Sequence, residues 1–182
     1  MFKKLNILDE KDKTLRKKSK DVTFPLSKEY KKLIQRAIDE LTYSQIEEYA
    51  KKYDLRPGMG LAFPQIGINE NIIIIVNEVE DGIFDNYVVI NPKIISYSEE
   101  LIAADEGEGC LSVNRDVEGH VPRYARITVE GFDEDGNKIR VRAREVLSIA
   151  FQHEIDHLDG ILFYDRINKD KPFYNEDEIR LI

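Results

Sequence analysis

The segment Val146–Leu158 constrains this chain more than any other, because it is apolar on almost every side and yet carries two histidines and two carboxylates. Val146, Leu147, Ile149, Ala150, Phe151, Ile155 and Leu158 leave no broad polar stripe, the pattern of a helix packed all round. Within it runs His153-Glu154-Ile155-Asp156-His157, an H-E-x-x-H arrangement. On an α-helix, positions i and i+4 share a face, so both imidazoles can aim at one metal ion. Glu154 sits beside the first histidine, where its carboxylate can reach a metal-bound water without being a ligand. Such groups are costly to bury unless they are coordinated, paired or hydrogen-bonded. The helix therefore belongs at the centre of the fold.

The remainder supplies strands and one further helix. Residues 1–26 are charged with sparse apolar positions and read as an extended arm ending at Pro25. Ser27 is a suitable N-cap, and Tyr30, Leu33, Ile34, Ala37, Ile38 and Leu41 recur at helical spacing, so an amphipathic helix runs to about Thr42, with a second piece from Ser44 to Tyr53. Ile72–Val76 is a run of β-branched residues, a buried strand. Tyr87–Ile90 reads as another, stopped by Asn91-Pro92, with short strands at Ile94-Ile95 and Leu101-Ile102. Arg126–Glu130 and Lys138–Arg142 flank Asp133-Glu134-Asp135-Gly136-Asn137, a hairpin signal. Gly160 can cap the histidine helix, and Ile161–Tyr164 reads as a strand. The expected fold is α+β: antiparallel sheets packed around a central buried helix, with an N-terminal amphipathic helix beside them. One domain spans 1–182, with a polar tail at 168–182.

Charge narrows the partners. The net charge of −8 argues against broad nonspecific nucleic-acid binding. It is unevenly spread: residues 1–56 carry 15 Lys and Arg against 10 Asp and Glu. That basic segment reads as a solvated face, although it could lie towards RNA. A single cysteine excludes an intramolecular disulfide, and no long apolar run suggests a signal peptide or a membrane span. A cytoplasmic location is expected.

A catalytic metal site commonly uses three protein ligands and keeps a position for water. The metalloprotease extension of the motif would put a third histidine where Phe163 stands. His120 lies in a Val117–Pro122 segment without ligand spacing and reads as a hydrogen-bonded or surface residue. Cys110 is the strongest candidate, since thiolate suits first-row divalent metals. Asp105 or Glu108 are alternatives. Elsewhere, Gly58-Met59-Gly60-Leu61-Ala62-Phe63-Pro64-Gln65 is a glycine-rich loop that lacks the Lys-Ser/Thr of a phosphate loop. It could expose backbone to another extended backbone.

Three blocks in order, Gly58–Gln65, Glu108-Gly109-Cys110-Leu111-Ser112 and Gln152-His153-Glu154-Ile155-Asp156-His157, resemble peptide deformylases, and the Arg56-Pro57-Gly58 approach resembles the type II subclass of Gram-positive bacteria. The resemblance covers about residues 1–167. It implies removal of the formyl group from formyl-methionine on new polypeptides. By that resemblance, Cys110, His153 and His157 would hold a divalent metal, with Fe(II) the working ion and Zn, Ni or Co able to substitute. Glu154 would take the water proton and pass it to the leaving amine. Gln65 and the Leu111 N–H would stabilise the oxyanion. Gly58 and Gly60 would pair with substrate backbone, and Ile149 and Ala150 would line the methionine pocket. Glu108, Arg123 and Asp156 would orient the ligands. Formyl-Met nascent peptides would be the partners, with transient ribosome contact, no membrane, and a monomeric state. One residue departs from the family pattern: Phe63 stands where the second alanine of A-A-P-Q is usual, which implies a smaller neighbour or a ring at the solvent or pocket rim. Two rival readings accompany this one. One is a metalloendopeptidase using the same helix with a carboxylate as third ligand; the other is a silent binding module with a structural metal, for which Glu154 and Gln65 have no use.

Overall fold

The computed structural model describes residues 2–182. Helix α1 spans Lys28–Gln45, and the Ser27 hydroxyl accepts the Tyr30 N–H at 3.1 Å, the expected N-cap. The helix continues past Thr42, because the Ser44 hydroxyl donates back to the Leu41 carbonyl at 2.8 Å and so does not compete with the helix. The break falls instead at Ile46, before α2 at Glu47–Tyr53. The strands follow as β1 (Gly60–Ala62), β2 (Ile72–Glu80), β3 (Ile83–Tyr97), β4 (Leu101–Ala103), β5 (Arg123–Tyr124), β6 (Arg126–Phe132) and β7 (Lys138–Arg144). Helix α3 takes Glu145–Leu158, and β8 Arg180–Leu181. Among the described residues, no helix is long and apolar enough to cross a membrane.

The main sheet has the order β1-β2-β3-β6-β7 and is antiparallel throughout. Strand β2 shows why its sequence is apolar at every position from Ile72 to Val76. Ile72, Ile74 and Val76 face Ile34, Ala37 and Leu41 of α1, whereas Ile73 and Ile75 face Ala150, Phe151 and Leu158 of α3. Both faces of the strand are covered, and all five residues are fully buried. Helix α3 is thus held against one side of the sheet, as its apolar circumference requires.

Three expectations change. Asn91-Pro92 does not end a strand: β3 runs through it, with a register shift between Ile90 and Lys93 that accommodates the missing proline N–H. The Asn91 side chain ties this bulge to the arm, accepting the Val22 N–H at 2.8 Å and donating to the Val22 carbonyl at 3.0 Å. Ile161–Tyr164 is not a strand; Phe163–Arg166 forms a 3₁₀ turn, stabilised where the Asp165 carboxylate accepts the Leu162 N–H at 2.9 Å. Finally, the sheets are not wholly antiparallel. A second sheet has the order β5-β4-β8, and β8, from the segment read as a tail, lies parallel to β4.

The arm is extended and packed on the body, as its sparse apolar residues suggest. Its backbone donates from Leu8 to Gln65, from Glu10 to Ser112 and from Ser19 to Leu158, at 2.8, 2.7 and 2.7 Å. It passes close under the end of α3. A Cβ on Gly160 would lie 2.6 Å from the Arg16 carbonyl oxygen, and the residue has φ of +73°. Gly160 follows the C-cap Asp159, with its N–H on His157 and that of Ile161 on Asp156, a Schellman end to the helix.

Candidate active site

Three side chains from distant parts of the chain converge at the middle of α3. The thiol of Cys110 and one ring nitrogen each of His153 and His157 all lie within 4.8 Å of one another, and all three residues are buried. Among the described residues this group includes neither His120, Asp105 nor Glu108. His120 has a structural role: its Nδ1 accepts the Tyr174 N–H at 3.0 Å and its Nε2 reaches the Asp105 carbonyl at 3.2 Å. Glu108 is committed elsewhere, so it does not replace Cys110 as a candidate ligand.

That commitment sets the tautomer of His153. The imidazole donates its Nδ1–H to the Glu108 carboxylate at 2.8 Å, so in the neutral ring the lone pair lies on Nε2. Glu108 also receives a bidentate pair from Arg123, at 2.8 and 3.0 Å, and the same guanidinium donates to Asp156 at 2.6 Å. Arg166 closes the chain of charges on the other side of Asp156. Burial would raise the Glu108 carboxyl, but the hydrogen bonds from His153 and Arg123 overcome it and hold the group at about 2. Burial likewise disfavours the charged form of His153, yet its contacts with Cys110 and Glu108 push it well above the ordinary histidine range. His157 goes the other way: burial and the neighbouring His153 hold it well below that range.

Glu154 stands apart from this network. Burial pushes it up to about 7, with the charges of Glu108 and Asp156 adding to the effect and His153 and Arg123 opposing it. Its Oε2 and the Nδ1 of His157 are buried without a hydrogen-bond partner among the described residues. A carboxyl poised near neutrality is what a general base or acid requires.

The site opens into a cleft of about 330 Å³ lined by the first block (Gly58, Met59, Gly60, Gln65), the second (Glu108–Leu111) and the α3 residues Val146, Ile149, Ala150, His153 and Glu154. Ile149 and Ala150 thus belong to both the core and the cleft wall. Gln65 is fixed by its carbonyl, which accepts the Ala62 N–H at 2.8 Å; its amide nitrogen points towards Ser112 Oγ (3.2 Å) and Cys110 Sγ (3.6 Å). The Leu111 N–H has no hydrogen-bond partner among the described residues. At Gly60 the missing side chain makes room for Glu154, whose Oε1 would lie 2.3 Å from an added Cβ.

The two glycines of the loop differ in another way. Val76 N–H donates to Met59 O, so Met59 and Leu61 face β2 and the peptide groups of Gly60 face the open edge of the sheet. Gly58, by contrast, has its backbone occupied. Its N–H donates to Ser44 Oγ at 3.1 Å, and its carbonyl accepts from the Gln45 amide at 3.1 Å, the same amide that donates to Val76 O at 3.0 Å. Ser44 and Gln45 therefore hold the loop in place, a role hidden in the sequence because both residues sit on what reads as a plain amphipathic helix. Gln152 is a similar case. Its side chain pairs with both backbone groups of Tyr124 and so docks α3 on β5, next to Arg123. Phe63 does not reach the cleft. It is fully buried in the core beside α1, edge-on to Tyr30 at 5.6 Å. Phe163, where a third histidine would have stood, stacks on the His153 ring at 6.0 Å.

Comparison with known proteins places the whole chain in one family. Residues 4–173 match the family model for polypeptide deformylase. The chain is 48% identical to peptide deformylase 2 of Geobacillus stearothermophilus over 94% of both chains. It is 50% identical to peptide deformylase of Ligilactobacillus salivarius over 92% of this chain and 91% of that one. Its fold resembles the crystal structure of peptide deformylase from Thermus thermophilus, with a TM-score of 0.75 and 34% identity over 91% of this chain and 87% of that one. With both sequence and fold matched over nearly its whole length, this chain belongs to the peptide deformylase family.

Proposed function

We propose that this chain hydrolyses the formyl amide of formyl-methionine at the start of newly made polypeptides. The observation that carries the reading is the position of Glu154: beside a Cys-His-His donor group, against Gly60, at the floor of an apolar cleft whose edge strand has open peptide groups. The donor set of one thiol and two imidazoles fits a first-row divalent ion, and the Glu108 hydrogen bond leaves the Nε2 of His153 free to bind one. Cys110, His153 and His157 would hold that ion, Fe(II) as the working metal with Zn, Ni or Co as substitutes. When bound, the ion supplies Lewis acidity and an acidified water at neutral pH.

The chain's own residues supply the rest. Glu154, poised near neutrality, takes up a proton from water and returns it to the departing amine nitrogen. The Gln65 amide and the Leu111 N–H donate to oxygen as negative charge develops on it. The peptide groups of Gly60 pair with the substrate backbone by extending the edge of the sheet. Gly58 contributes its surface rather than its hydrogen bonds. Ile149, Ala150 and Leu111 receive the methionine side chain. Arg123 and Asp156 keep Glu108, and through it His153, in orientation. We further infer one folded domain for the whole chain, working as a cytoplasmic monomer with transient contact to the ribosome.

The test is formate release from a formyl-Met peptide by the iron-loaded chain, compared with Glu154→Ala, with the metal content of both measured. The expected result is release by the wild type and a loss of about 10²–10⁴ in kcat for the variant at equal metal content. An iron-loaded wild type that releases no formate refutes the proposal.

A further inference from the structure

The family match ends at residue 173, yet the chain beyond it returns to the cleft. After a loop, β8 pairs with β4, and the Ile182 N–H donates to Ala103 O at 2.9 Å while its carbonyl accepts the Asp105 N–H at 3.0 Å. These bonds place the Ile182 side chain among the residues lining the cleft, packed on the cluster of Ile102, Ala125 and Ile149. Ile149 lies one turn before His153, on the wall that would receive the substrate's first side chain.

The segment is anchored where it matters. Arg180 donates both terminal nitrogens to the Glu145 carboxylate, each at 2.8 Å, and its Nε to Glu100 at 2.8 Å. Glu145 is the first residue of α3, the helix that carries His153, Glu154 and His157. A bidentate pair fixes direction as well as distance, so residues 180–182 are registered to the same helix as the reacting groups. Ile179, just before, is buried. Across the same cleft Val146 remains 56% exposed, so the apolar wall has room for an apolar side chain beside Ile182.

We propose that Ile182 is a specificity-determining residue: it closes the far end of the side-chain pocket and sets the length and bulk of the first residue accepted. This rests on the deformylase reading above. The experiment compares the full chain with Ile182→Ala, Ile182→Val and Arg180→Ala, using formyl-Met and formyl-Phe peptides in otherwise identical sequences. In parallel, binding of the unformylated Met and Phe peptides to the metal-loaded chains is measured by calorimetry. Shortening the wall is expected to raise KM for the formyl-Met peptide and to shift the Met:Phe ratio of kcat/KM about tenfold towards Phe, the scale of one or two methylene contacts. kcat on saturating formyl-Met peptide should change little, Ile182→Val should restore most of the preference, and Arg180→Ala should follow Ile182→Ala. Wild-type turnover with an unchanged Met:Phe ratio in Ile182→Ala overturns the proposal. Should the wild type release no formate, the binding ratio decides instead: a shift towards Phe sustains the wall, and no shift overturns it.

Discussion

Replacing Gly60 by alanine separates the chemistry of the cleft from its shape. An added Cβ would lie 2.3 Å from Glu154 Oε1, 2.7 Å from its Cγ and 2.8 Å from its Cδ, whereas real Cβ contacts essentially never fall below 3.0 Å. The carboxylate must therefore withdraw by most of an ångström. Glu154 has little room for this, since it sits buried on a helix packed against β1 and β2. If Glu154 carries the proton as proposed, a displacement of about 1 Å costs on the order of 10² in rate. The backbone itself is not strained by the change, because Gly60 does not occupy the left-handed region, and a permitted Gly→Ala replacement stabilises by about 0.4–1 kcal/mol through the unfolded state. The expected phenotype is a kcat on formyl-Met peptide reduced about 100-fold, with KM changed little and the melting temperature held within a few degrees. Gly58→Ala is the matched control. The nearest atoms to its added Cβ would be Cδ1, Cδ2 and Cγ of the Leu111 side chain, at 3.0–3.2 Å, and that side chain can shift. That variant should change KM and leave kcat near wild type. Formate-release kinetics on both proteins, with thermal melts and metal analysis, decide the matter. A Gly60→Ala enzyme whose kcat stays within about threefold of wild type would refute the placement of Glu154 as the working base.

Gln45→Ala removes the amide that joins Gly58 O to Val76 O, so the Gly58–Gln65 loop should loosen. We expect KM to rise several-fold with kcat less affected, and Gln45→Glu, which keeps the length but loses the donor, to resemble alanine; wild-type KM in both would disprove the tie. Acid should release the segment that carries Ile182. The hydrogen bonds from Arg180 hold Glu100 and Glu145 below the ordinary value of 4.5, so their contribution is complete above that pH and is lost as the pH falls through the lowered values. The amide resonances of Ile182 and Asp105 should keep their positions from neutral pH down to about 4.5 and move below it, whereas in Arg180→Ala they should already be displaced at neutral pH.

How much of this was visible beforehand depends on whether the signal is local. Helix α3 was legible because its all-round apolar character and its histidine spacing lie within one stretch, and Gly160 marked its end. The Arg126–Arg144 hairpin was legible for the same reason, with Asp133 and Gly136 between its strands. The passage of β3 through Pro92 was not, because it depends on Asn91 bonding to Val22, a residue far back in the arm. For Phe63 the sequence leaves open a smaller neighbour or a ring at the solvent or pocket rim, and its full burial excludes the rim and solvent. It is buried because successive residues of β1 and the turn after it point to opposite sides of the sheet, and α1 covers the side opposite the cleft. Cys110 stands out in the sequence as the strongest candidate ligand, with Asp105 and Glu108 left open beside it, but Ser44, Gln45 and Ile182 do not stand out. Their importance comes only from what lies opposite them.

The arm that donates to Gln65, Ser112 and Leu158 has a consequence for how the protein matures. One short stretch braces the ends of the first two motif blocks and the last residue of α3, just past the third, so their mutual setting depends on it. During synthesis the first twenty residues leave the ribosome long before the helix they will underpin exists. Such far-separated contacts slow folding. The pocket between these blocks therefore cannot close before α3 has been made, and a chain cut short ahead of Glu145 should lack the Cys110–His153–His157 centre.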